Sequence, residues 1–132
     1  MIGIDEGVLS SLFDRTESDL FNAAERLIQH AGRDGECFIH PLVLAQFART
    51  LEGQYKLPRS AVADYLDRIL RAPEFTIPMA DEAARATEHF RKGSASFSDC
   101  FLAELNLVAG CDTTVTFDVL AAKSAGFTLL AG

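Results

Sequence analysis

The chain has 132 residues, 48% hydrophobic and 23% charged, which suits a single domain over residues 1–132 with its own core and excludes a disordered polypeptide. A formal net charge of −7 argues against a surface that grips nucleic acid by bulk attraction, because phosphate contacts need clustered Lys and Arg. It leaves a nuclease open, since carboxylates gathered in one pocket add to that excess and a divalent cation would offset it locally. Cys37, Cys100 and Cys111 are widely spaced with no CxxC pair. Neither a disulfide framework nor a cysteine zinc site is indicated, and the thiols are expected to be reduced and mostly buried. The opening MIGID enters a strand directly, and no apolar stretch reaches the roughly 18 residues of a membrane span, so a cytoplasmic protein with no membrane partner is expected.

Ile2-Gly3-Ile4 predicts a short buried strand ending at Asp5, and Val8, Leu9, Leu12 and Phe13 predict a short helix after it. By local pattern alone Asp5 is the N-cap of that helix. Thr16 to Asp19 open a second helix whose apolar face is Leu20, Ala23, Ala24, Leu27, Ile28 and Ala31. Gly32 ends it, with His30 near the last turn in a structural role. Gly32-Arg33-Asp34-Gly35 predicts a turn, and Glu36-Cys37-Phe38-Ile39 a second strand. Pro41 suits the first position of a helix running to about Tyr55, with Leu44, Phe47, Ala48 and Leu51 on its core face and Gln46 a polar exception. His40, beside Pro41, is expected to help the turn.

Leu57-Pro58-Arg59-Ser60 breaks the chain before a helix marked by Val62, Tyr65, Leu66, Ile69 and Leu70. The two helices form a hairpin whose stripe is either core or a partner surface. Phe75-Thr76-Ile77 reads as a third strand, and Asp81 to Lys92 as a helix with acids first and bases last, His89 facing solvent. Ser96 to Asp118 then combines a helix carrying Asp99 in its first turn, a stop at Gly110, the strand Thr113 to Phe117, expected to be buried among neighbours, and Asp118 at its end. A short helix or turn follows, and Phe127 to Leu130 is a last strand. Strands alternating with helices give an α/β fold with a mainly parallel sheet. Acids held at one rim of such a sheet are a metal site or a coincidence of caps. No phosphate loop, HExxH motif or internal repeat is present in the sequence.

MIGID at the start, FIHPLVLAQFARTL in the middle, and FSDCFLAELNLVAGCDTTVTFD with GFTLL at the end together resemble a PIN domain, most closely the VapC-type toxins of bacterial type II toxin-antitoxin pairs. The resemblance implies a three-layer fold, a central parallel sheet flanked by helices, and a pocket of converging acids that binds Mg²⁺ or Mn²⁺. It implies endonucleolytic cleavage of RNA, a cognate antitoxin and a homodimer. It carries the catalytic and metal-binding roles to Asp5, Asp99 and Asp118, with Ser98 and Thr116 orienting carboxylates. Gln46 stands where the family usually has Glu, which removes an anion and a proton acceptor. Glu6-Gly7 replaces a common Thr-Asn, with Glu6 a supporting carboxylate, and Val119 replaces a polar residue. Two outcomes are open: a metal-dependent ribonuclease weakened at Gln46, or a PIN-fold protein that no longer cleaves and serves as a binding or regulatory partner. A third, unrelated outcome is a small binding domain in which all three acids are caps.

Overall fold

Strands of two or three residues, each separated from the next by helix, leave parallel pairing as the natural arrangement, and every strand pair in the computed structural model is parallel. The structure describes residues 1–31 and 37–131. Its elements are β1 (Ile2–Gly3), α1 (Glu6–Ser11), α2 (Ser18–Ala31), β2 (Cys37–Phe38), α3 (Pro41–Gly53), α4 (Arg59–Arg71), β3 (Phe75–Thr76), α5 (Ala80–Lys92), α6 (Phe97–Val108), β4 (Thr114–Thr116), α7 (Val119–Ala122) and β5 (Phe127–Leu129). The turn expected at Gly32 to Gly35, and Glu36 of the second strand, lie outside the described residues.

The α/β class and the element order follow the expectation, but the strands divide into two sheets. One has the order β1-β2-β3, with Gly3 opposite Phe38 and Phe38 opposite Thr76. It is extended by Ile4 N–H to Phe38 O and Ile39 N–H to Thr76 O, each 3.0 Å. The other pairs β4 with β5, Thr114 opposite Phe127 and Thr116 opposite Leu129. Among the described residues no strand pairing joins the two. The second sheet is instead tied to α6: Asn106 Nδ2 donates to Thr114 Oγ1 at 2.9 Å, and Gly126, at φ +88°, lies so close that an added Cβ would meet that of Ala103 at 3.2 Å.

The core lies among α3, α4, α5 and α6. Phe47, Phe90 and Phe97 are its largest fully buried side chains, and Phe90 meets Phe97 edge-on at 6.3 Å between ring centres. Val62, Ala63, Leu66 and Ile69 of α4 are buried in the core, so the stripe of the helical hairpin serves packing. Two strands are more open than their composition predicts. Ile2 is exposed, and so are Val115 and Phe117, the last at 71%. Thr114 and Thr116 are half-buried while Val115 between them is exposed, the alternation of a strand packed on one face only. The cysteines are free, Cys37 and Cys100 buried and Cys111 exposed.

His40, expected to help the turn, caps α3, its Nδ1 accepting from Leu42 N–H at 3.0 Å. His89 is exposed but not idle. Its Nε2 lies 3.3 Å from Oε1 of Glu104 on α6, and Arg85 Nε lies 3.0 Å from Oε2 of the same carboxylate. Glu104, only 8% exposed, sits inside the apolar run of α6 because α5 supplies the Arg85 guanidinium and the His89 imidazole as its polar partners.

The chain after α1 is fastened to the end of α3 by Tyr55 Oη, which donates to Asp14 Oδ2 at 2.7 Å. Hydrogen bonds from Thr16 and Tyr55 hold the Asp14 carboxyl below its usual range, and the same bond, with burial, pushes the Tyr55 phenol up to about 12. A lowered carboxyl pKa contributes stability that is present above its ordinary value and lost as pH falls through the lowered one. Tyr55→Phe is therefore expected to lower the melting temperature by a few degrees at pH 7. The gap from the parent protein should narrow as pH drops below the ordinary 3.8, measured by thermal denaturation across a pH series; a gap constant with pH would count against the bond.

Candidate active site

Of the three acids singled out in the sequence, Asp5 and Asp118 occupy equivalent local positions and Asp99 a different one. Asp5 follows β1 with extended backbone and caps α1, its Oδ1 accepting from Val8 N–H at 3.0 Å. Asp118 follows β4 in the same way and caps α7, its Oδ1 accepting from Leu120 N–H at 2.9 Å and Ala121 N–H at 3.4 Å. Asp99 lies in the first turn of α6 but is not the cap. Ser96 is, its Oγ accepting from Asp99 N–H at 3.1 Å. The alternative of caps thus holds for two acids out of three, yet capping does not exhaust either: the second carboxylate oxygen of Asp5 and of Asp118 makes no hydrogen bond with the described residues.

Asp5 borders an apolar hollow of about 400 Å³ between α1 and α2, with Gly7, Val8, Leu20 and Leu27 among its walls. Gly7 lies beside the carboxylate, since a Cβ there would stand 3.5 Å from Asp5 Oδ1. Asp99 borders a different cavity, about 300 Å³, between α3 and α6, with Ser96, Ser98, Ala45, Arg49 and Glu52. Gln46 is exposed on α3 next to Ala45. Glu6 accepts a hydrogen bond from Ser10 one turn along α1 and borders a third cavity with Asp14, Glu17 and Tyr55. Thr116 Oγ1 accepts from Asp118 N–H at 3.0 Å, so it fixes the backbone of that acid. Ser98 shares the Asp99 cavity.

The donors are of the right kind for a hard divalent cation, carboxylate and hydroxyl oxygens. They do not form an assembled centre. Among the described residues no group of three or more His, Cys, Asp or Glu side chains is placed to hold a metal ion. Magnesium is commonly held by one or two carboxylates together with substrate phosphates rather than by an all-protein cage, so the donors fit the ion in type but are not gathered into a site among the described residues.

Sequence reasoning overlooked Arg49 and Glu52, which place a cation and a second carboxylate in the cavity with Asp99. Arg49 makes no ion pair with the described residues. The available signal was spacing: Arg49 follows Gln46 by three residues and so stands on the same side of α3.

Cys100, next in sequence to Asp99, is no nucleophile. Burial pushes its thiol up to about 11, the charges of Asp99 and Glu104 add to this and Arg59 opposes it, so the neutral form prevails near pH 7. Iodoacetamide at pH 8 should add one label to the folded protein, at exposed Cys111, and three after denaturation. Intact mass and peptide mapping check this; rapid labelling of Cys100 would contradict it.

Compared with known families, the chain matches the model described as PIN domain over residues 2–125. No curated protein matches it.

Proposed function

The chain belongs to the PIN domain family, whose members are generally nucleases that use divalent metals, and from that premise we propose that it is an endoribonuclease of the VapC toxin type, weakened at Gln46. The observation that carries this is the recurrence of an acid at the strand-to-helix junctions after β1 and β4 and in the first turn of α6, within a family match that spans all three. In this reading Asp5, Asp99 and Asp118 hold Mg²⁺ or Mn²⁺. When bound, that cation supplies an activated water and charge neutralisation at the scissile phosphate. The chain's own contribution is orientation. Amides of α1 and α7 grip one oxygen of Asp5 and of Asp118, which aims the other outward, and the Ser96 cap fixes the backbone from which Asp99 projects. Arg49, in the Asp99 cavity with no ion pair among the described residues, meets a phosphate of the RNA strand in a protein whose net charge of −7 otherwise repels it. The partners proposed are a cognate antitoxin and a second copy of the chain.

A second reading has its own support. Gln46 removes the acid usual at that position, and no three acids are gathered among the described residues, as expected of a PIN-fold protein that binds without cutting. The two readings part on one pair of variants. Loss of groups that merely orient a metal ligand typically costs about 10–100-fold, so Asp99→Asn is expected to lower Mn²⁺-dependent cleavage of single-stranded RNA by roughly 100-fold or more. Gln46→Glu should raise both Mn²⁺ affinity, by calorimetry, and cleavage by roughly 10-fold. Cleavage indifferent to Asp99→Asn would remove the assigned chemistry, and no response of either quantity to Gln46→Glu would favour the non-cleaving protein.

A further inference from the structure

Arg59 opens α4, far in sequence from any acid of the site, and is half-buried. Among the described residues no carboxylate pairs with it. Its guanidinium donates instead to two backbone carbonyls: Nε to Phe90 O at 3.1 Å, and Nη2 to Phe90 O at 2.6 Å and Ala95 O at 2.5 Å. It also stacks on the Phe90 ring, 4.1 Å from the ring centre. Phe90 O belongs to the last turn of α5, where carbonyls lack helical partners and the dipole favours a cation. Ala95, 3% exposed, immediately precedes Ser96, the cap that receives Asp99 N–H. The ring that Arg59 covers meets Phe97 of the first turn of α6.

We propose that Arg59 is a positioning residue: one guanidinium ties the end of α5 to the start of α6 and thereby sets where Asp99 stands. The catalytic part of this rests on the nuclease reading above; the positional part does not. Lysine cannot replace it, because a single ammonium has neither the planar fork to meet two carbonyls nor the flat face to lie on Phe90.

The test uses Arg59→Lys and Arg59→Met in the full chain, with amide hydrogen exchange and RNA cleavage measured in parallel. Both variants should exchange faster in residues 94–100 while α3 and the first sheet stay protected. For Arg59→Lys, kcat in Mn²⁺ should fall roughly 10-fold or more, with KM for RNA changed by less than about threefold, since misplacement by about 1 Å at a reacting group costs that order of rate. Leu66→Ala, which opens the core and removes none of the hydrogen bonds of Arg59, serves as the control for simple destabilisation. Exchange in 94–100 no faster than in that control overturns the proposal whatever the activity. If the unaltered protein cuts no RNA, the nuclease reading fails and exchange alone decides Arg59. Should neither variant fold, the Nε–H resonance of Arg59 in the unaltered protein decides: slow solvent exchange supports the clamp, and a freely exchanging, freely rotating guanidinium overturns it.

Discussion

The constraint on which the site depends is the abrupt passage from strand to helix. A helix begins with amide groups that have no helical acceptor, and a short acid at that junction is the cheapest acceptor available. Asp5 and Asp118 meet that need with one oxygen each. The same bond restricts the carboxylate and leaves its other oxygen without a hydrogen bond to the described residues, so capping does not by itself use up either acid. Asp99 reaches its place differently. Ser96 takes the capping role, and the acid three residues later is released from backbone duty.

Much of this was legible in the sequence because it is local. Pro41 after His40 and the spacing of Val62, Leu66 and Ile69 each report on one turn of chain, and the helices they predicted are α3 and α4; the Ser96 cap was not read, and the strands are shorter than expected. What escaped notice was non-local. Glu104 looks like an interruption of an apolar run until α5 brings Arg85 and His89 to it. Arg59 looks like an ordinary surface cation until Phe90 and Ala95, more than thirty residues away, fold over it. The exposure of Val115 and Phe117 was missed for the same reason. β-branched and aromatic composition favours a strand, but which of its faces is covered depends on what lies opposite. At the site, the acids could be read singly, whereas their sorting into separate cavities depended on how α1, α3 and α6 pack.

The buried Glu104 and the half-buried Arg59 solve a common problem by different means. Glu104 is compensated by the opposite charge of Arg85, and Arg59 by carbonyl dipoles and an aromatic face. Both act on α6, one in its middle and one at its beginning. The helix that carries Asp99 is therefore held by electrostatics as well as by the edge-on contact of Phe97 with Phe90 of α5.

The mooring of the second sheet has a consequence for how the acids can be spaced. β4 and β5 are tied to α6 through Asn106 and through the bare backbone of Gly126 against Ala103, so the strand that leads to Asp118 is fastened to the helix of Asp99. Asp5 belongs to the other sheet and answers to α1. Between these two bodies stands α3, touching α1 on one flank and α6 on the other, a shim whose side-chain bulk gauges the gap. Methyl groups gained or lost along its inner face would retune the distance from Asp5 to its counterparts without altering a single acid.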